Sequence, residues 1–213
     1  AYRRMEFYEI KENKKQYLDL LLLADEQENM IDKYLERGSM FIIDKYDVKA
    51  VCIVTDEGCG IIEIKNIAVR PEYQRHGYGR AMINYIARRY SENYSIMQVG
   101  TGDSPLTVPF YIKCGFTESH RIKNFFRDNY DRPIIERGAT LCDMVYFRKI
   151  IGWIYDKKII PYEKLSKKEK RRLNNLKCND WSGIDPVTCI ADTERKDIRG
   201  NLNILIIIRI FLY

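Results

Sequence analysis

Gln74-Arg75-His76-Gly77-Tyr78-Gly79-Arg80 is the run in this sequence whose residue types and spacing point most directly to chemistry. It follows an apolar β-type stretch, Gly60 to Val69, across a short break at Pro71, and it opens a helical pattern from Arg80 to Tyr90. Glycines one residue apart let the backbone turn tightly with its N–H groups pointing inward, and the unpaired amides and positive dipole of a helix start then face the same hollow. An anion is the expected occupant, and we read the run as a pyrophosphate cradle. A glycine pair alone also serves turns that bind nothing, because a positive φ by itself calls for Gly. Two other phosphate motifs fit worse: there is no Gly-Lys-Ser/Thr, and no acidic residue closes a following strand as a dinucleotide fingerprint requires.

The elements that must position this cradle follow from periodicity. Met5 to Ile10 alternates as an opening strand would, and Asn13 can cap a helix after it. From Lys14 to Leu35 the apolar residues recur mostly at three- and four-residue steps, which predicts two consecutive helices ending at Gly38. Strands are expected at Met40–Asp44, Val48–Thr55 and Cys59–Val69, a meander with tight turns at Lys45–Asp47 and Asp56–Gly58. Ile83, Ile86, Ala87 and Tyr90 mark the inward stripe of the cradle helix, and Ile96 to Val99 reads as a short strand. After the turn Gly100–Ser104 come a helix over Leu106–Cys114, a strand over Phe116–Lys123, a loop over Asn124–Gly138 rich in aromatics and charges, and a last strand over Leu141–Ile150. The predicted order is β-αα-βββ-α-β-α-ββ.

Two segments together carry a family resemblance. The spacing Gln/Arg-x-x-Gly-x-Gly after a strand ending Ile67-Ala68-Val69-x-Pro71 resembles the acetyl-CoA-binding segment of the GNAT N-acetyltransferase superfamily. Pro109-Phe110-Tyr111-Ile112-Lys113-Cys114-Gly115-Phe116 resembles the same superfamily's second signature, Tyr-x-x-x-Gly-Phe. The resemblance covers residues 5–150. It implies an α/β (mixed α+β) GNAT fold, a central mixed twisted sheet of six to seven strands with flanking helices, splayed where its parallel central strands diverge. It also implies an acetyl-CoA-dependent N-acetyltransferase.

The roles that the resemblance implies for single residues can be set against their chemistry. Amine acetylation needs a neutral amine, a polarised thioester carbonyl and a proton for the departing thiolate. Glu63, six residues before Val69, stands where GNAT histone acetyltransferases carry a general base, while its neighbour at i+2, Lys65, leaves open a solvated ion pair instead. Tyr111 corresponds to the tyrosine that donates to the thiolate, its alternative being a packing aromatic beside Phe110. The amides of Arg75, His76, Gly77, Tyr78, Gly79 and Arg80, introduced by Gln74, would face the pyrophosphate, with the Arg75 and Arg80 side chains on its oxygens. An N–H of Ile67, Ala68 or Val69 would meet the thioester carbonyl. Asp103 stands where relatives often carry Asn, so a pantetheine contact is expected there, or Asp103 or Ser104 as N-cap of the Tyr111 helix. The acceptor site would be walled by Asp25-Glu26-Gln27-Glu28 and by His120 to Pro133, whose Phe125, Phe126 and Tyr130 suit a cationic amine with an apolar body. Cys114 borders the site, yet no histidine lies near it in sequence to activate it as a nucleophile.

Composition bounds the rest. The chain has 213 residues and is 46% hydrophobic, enough for a sizeable core. Its six cysteines form no Cys-x-x-Cys pair and only two histidines exist, which argues for reduced thiols and no metal site. No signal pattern opens the sequence, and the longest apolar run, Leu202 to Tyr213, is interrupted by Arg209, so no membrane span and a cytoplasmic location are expected. The net charge of +6 is concentrated late: residues 1–150 hold 23 Lys+Arg against 22 Asp+Glu, and 151–213 hold 13 against 8. A nearly neutral main domain argues against nucleic-acid binding. Residues 1–4 read as an upstream scar. Residues 151–213 read as a basic C-terminal extension with a helix from Ser166 through Lys177, and after it a β-prone run that packs, pairs in a homodimer, or comes from a shifted reading frame. The competing functions are a non-catalytic acyl-CoA sensor and a protein N-acetyltransferase, which would need an open groove for an extended peptide.

Overall fold

The computed structural model describes residues 5–136, 138–155, 158–161, 164 and 166–168. β1 (Phe7–Ile10) leads through a 3-10 turn into α1 (Leu18–Leu21) and α2 (Glu28–Leu35), and the meander follows as β2 (Ser39–Ile43), β3 (Ala50–Asp56) and β4 (Ile61–Val69). Next come α3 (Tyr78–Tyr90), β5 (Ile96–Gly102), α4 (Val108–Lys113) and β6 (Thr117–Ile122). The expected loop contains α5 (Phe125–Asn129) and a small hairpin, β7 (Ile135–Glu136) with β8 (Ala139–Thr140). β9 (Met144–Ile150) closes the main sheet, and a separate hairpin, β10 (Gly152–Tyr155) with β11 (Lys158–Pro161), follows it.

The seven-stranded sheet runs β1-β2-β3-β4-β5-β9-β6, antiparallel except for the parallel pair β4–β5. Its two faces are covered by different helices because successive strand residues point to opposite sides. Phe41, Cys52, Val54, Ile62, Ile64, Met97, Val99 and Phe147 meet Met82, Ile83 and Ile86 of α3 and Tyr111 of α4. On the other face Met40, Ile42, Val51, Ile53 and Ala68 meet Leu20, Leu21, Ile31 and Leu35 of α1 and α2.

Two irregularities shape the middle of the sheet. The β3–β4 register slips between Ile53/Val54, where Val54 pairs with Ile64 but Ile53 with Asn66, so Lys65 is the extra residue of a β-bulge. The β4–β5 ladder is confined to Ile61–Ile64 against Ile96–Val99, although both strands continue. Beyond the bulge the strands therefore part, and β4 presents an edge with no strand beside it.

The late chain joins the core further than expected. Ile151 is buried in the α3–α4 cluster, and the N–H groups of Ile151 and Gly152 both donate to Ser95 O, at 2.9 and 3.2 Å. A boundary at Ile150 would cut through this contact. A chain truncated after Gly152 should melt close to full length, whereas one truncated after Ile150 should melt lower by roughly 4–8 °C, from about 2 kcal/mol of lost apolar burial. Differential scanning calorimetry checks this; equal melting of the two truncations would remove Ile151 from the domain. The expected Leu202–Tyr213 segment, most of the basic helix and residues 1–4 lie outside the described residues.

Candidate active site

The cradle forms with its donors unspent. Gly77 is the N-cap of α3 at φ 88°, and Arg75 is also left-handed at φ 62°. Among the described residues no acceptor receives a backbone N–H from Arg75 to Arg80, and Ala81 is the first to find one, Gly77 O at 2.9 Å. Gln74 Nε2 donates to Val69 O at 3.1 Å and His76 Nδ1 lies 2.8 Å from Gln74 O, which stitches the loop to the end of β4. The glycines differ in role. A Cβ on Gly77 would meet nothing within 4 Å, so its backbone angle explains it. Gly79 is helical, and a Cβ there would stand 3.1 Å from Phe110 Cζ and 3.7 Å from Val69 Cγ2. It lets α3 pack closely on α4 and β4.

The two arginines also part company. Arg80 Nη2 donates to Lys113 O at 3.1 Å and its guanidinium reaches the Cys114 thiol, so it is tied to the end of α4. Arg75 is exposed and makes no hydrogen bond or ion pair with another described residue. Tyr78 is half-buried against the core beneath α3, its ring edge-on to Tyr73 at 5.9 Å.

Ile67, Ala68 and Val69 lie on β4 past the parting point, paired with Cys52, Val51 and Ala50 on one side only. Tyr111, from α4, is buried among Phe110, Phe116 and Phe147, and its hydroxyl makes no hydrogen bond with another described residue. Burial pushes that hydroxyl well above the usual tyrosine range, with smaller contributions from the Cys52 and Cys114 thiols. Cys114 is buried too, and burial raises its thiol. Neither Asp103 nor Ser104 caps α4, correcting that expectation: the N-cap is Thr107, without a side-chain bond. Ser104 Oγ instead accepts the Leu106 N–H at 3.1 Å in the turn before the helix, while Asp103 pairs with Arg121 of β6. A Pro within the first helical positions explains the later start, since Pro109 has no N–H to give and fits the first turn.

Glu63 is 5% exposed. Lys65 Nζ lies 2.8 Å from Oε1, the ion pair weighed from the sequence, and Gln98 Nε2 donates to Oε2 at 2.9 Å. A carboxylate has about four acceptor sites, so further lone pairs remain. Around it on the same face stand Tyr146, whose hydroxyl is raised by burial and then by Glu63, and His120, stacked on Tyr146 at 4.5 Å and lowered by burial and then by Arg148. Gln98, Asn66 and Tyr146 were not anticipated. A lone polar Gln inside Ile96-Met97-Gln98-Val99 was the available signal.

Of the acidic wall only Asp25 turns inward; Glu28 pairs outward with Lys15 at 2.9 Å. Asp25 accepts hydroxyls from both sides of the cleft, Tyr34 at 3.1 Å and Tyr130 at 3.0 Å. Burial raises its carboxyl above the ordinary range against the pull of Tyr130 and Tyr34. Asp131 N–H also donates to Gln27 Oε1 at 3.1 Å. The two expected walls are thus joined to one another. Beneath them Asn66 Nδ2 donates to Leu21 O at 3.0 Å and Tyr34 Oη at 3.2 Å. Phe125 and Phe126 sit behind Tyr130 as an aromatic cluster with Ile134 and Leu141. Among the described residues no three His, Cys, Asp or Glu side chains are grouped to hold a metal ion, and no helix is long and apolar enough to cross a membrane.

Known proteins share this fold. Residues 36–118 match the family described as Acetyltransferase (GNAT) domain. The chain is 33% identical over 138 residues to the "Uncharacterized N-acetyltransferase YvbK" of Bacillus subtilis (strain 168), covering 63% of this chain and 89% of that one. A GNAT family acetyltransferase from Elizabethkingia anophelis, crystallised with acetyl-CoA bound, superposes with a TM-score of 0.64 at 30% identity, covering 68% of this chain and 97% of its own. A Bacillus subtilis acetyltransferase crystallised in complex with CoA gives a TM-score of 0.64 at 29% identity, covering 69% and 99%.

Proposed function

The chain belongs to the GNAT acetyltransferase family, and from that premise we propose that it carries the acetyl group of acetyl-CoA to a small primary amine by direct attack in a ternary complex. It is an acetyl-CoA-dependent N-acetyltransferase, with acetyl-CoA as its co-substrate. The observation that carries the acceptor reading is the union of the two walls through Asp25, Tyr130 and Gln27. A joined rim encloses a compact molecule and obstructs an extended peptide. Comparing kcat/KM for small primary amines with that for peptides bearing a free amine tests it; a clear preference for peptides would overturn it.

The residues fit the co-substrate. Six consecutive free amides at a helix start suit a pyrophosphate, and exposed Arg75 can add its guanidinium. The unladdered edge of β4 can take the pantetheine amides as a neighbouring strand would, with an N–H of Ile67, Ala68 or Val69 on the thioester carbonyl. Glu63 removes the ammonium proton, directly or through a water. The amine nitrogen then bonds to the carbonyl carbon as the C–S bond breaks, the electron pair leaves on sulfur, and the second proton shed by the acylated nitrogen passes to that sulfur through water, giving the N-acetyl amine and free CoA thiol. Tyr111 meets that developing thiolate. A phenol raised by burial is a weaker acid than a thiol of pKa about 8.5, so it stabilises the thiolate by donating a hydrogen bond rather than by surrendering its proton. Cys114 needs no part in this, since its raised thiol is a poor nucleophile.

Gly79→Glu should weaken acetyl-CoA binding by at least about tenfold, because the new side chain meets Phe110 and brings negative charge to the anion hollow. Isothermal titration calorimetry on folded protein checks this. Unchanged affinity would place the pyrophosphate elsewhere.

A further inference from the structure

Glu63, Gln98 and Arg148 are register neighbours across three strands: Glu63 pairs with Gln98, and Gln98 with Arg148. Side chains of directly paired residues share a face, and here they join end to end. Arg148 Nε donates to Gln98 Oε1 at 2.7 Å, and Gln98 Nε2 donates to Glu63 Oε2 at 2.9 Å. Gln98 and Glu63 are 8% and 5% exposed, so little water competes for these bonds. A primary amide can turn either end toward a neighbour, but a guanidinium only donates. Arg148 therefore selects the orientation in which Gln98 offers its NH2 to the carboxylate.

We infer that Gln98 and Arg148 are positioning residues for proton removal by Glu63, Arg148 orienting the amide and the amide holding the carboxylate plane opposite Lys65. This rests on Glu63 being the base. The charged and titratable groups facing it are Lys65, which also reaches Glu57 at 3.4 Å; Arg37, which pairs with Glu57; Arg148 and Tyr146 on β9; and His120 on β6. Losing the Gln98 donor or the Arg148 charge removes support for the ionised form of the carboxylate. The acid limb of kcat/KM for the amine must then move to higher pH.

The test uses the full chain with Arg148→Met, Arg148→Lys, Gln98→Met and Glu63→Gln, singly and combined. Arg148→Met and Gln98→Met should each lower kcat about tenfold and move the acid limb upward, with affinity for acetyl-CoA unchanged. Arg148→Lys, which keeps a donor and a charge, should recover most of that loss. In the Glu63→Gln background the further cost of Arg148→Met should vanish, because residues acting through one group are non-additive. If Arg148→Met fails to fold, Gln98→Met carries the same comparison. An unmoved acid limb with unimpaired kcat, or a cost that persists undiminished without Glu63, overturns the inference while leaving Glu63 as base. Wild-type activity of Glu63→Gln itself would overturn both.

Discussion

Glu63→Gln should lower kcat/KM for the amine by on the order of 10²-fold or more at mildly acid pH, where the acceptor arrives protonated and needs a base. The loss should shrink as pH rises, because free amine then forms in solution and the carboxylate is no longer required. The substitution keeps the shape of the side chain in a buried site and removes its charge, and the amide can still accept from Gln98 through its oxygen. Acetyl-CoA binding should be unaffected. A pH–rate profile of the variant beside wild type reads the effect; a loss equal at all pH values would make Glu63 a structural anchor for Lys65, and no loss would remove it from the reaction.

Tyr111→Phe should lower kcat on the order of 10²-fold with nearly unchanged affinity for acetyl-CoA, the pattern of an interaction made only in the transition state. Stability separates this from a packing role. The ring carries the contacts with Phe110, Phe116 and Phe147, and the hydroxyl makes no hydrogen bond with another described residue. Removing it should therefore leave the melting temperature equal to or slightly above that of wild type. Stopped-flow thiol release and calorimetry together check both halves. Full activity would return Tyr111 to a packing residue.

Much of this arrangement was legible from local pattern. The glycine pair, the 3.6-residue stripe of Ile83, Ile86, Ala87 and Tyr90, and the alternating runs around β2, β3 and β4 are each short-range signals, and they yield the order of elements along the chain and the cradle. The features that stayed hidden depend on partners far along the chain. The bulge at Lys65 leaves only a break in the alternation of Ile-Glu-Ile-Lys-Asn-Ile, two polar residues in a row that a strand end would equally produce, and only the register against β3 shows the slip. Glu63 reads as a base or an ion pair until Gln98 and Arg148 arrive beside it from β5 and β9. The joined walls likewise come from Asp25 and Tyr130, separated by 105 positions. α5 is too short for a helical period to declare itself among the aromatics around it.

Initial rates of thiol release over a grid of acetyl-CoA and small-amine concentrations test the central claim most directly, that the amine attacks the bound thioester in the gap between β4 and β5. The account predicts release that depends on both, with intersecting double-reciprocal lines and an N-acetyl amine as product. Binding of acetyl-CoA with no amine-dependent release, or parallel lines signalling a covalent acetyl-enzyme, would contradict it.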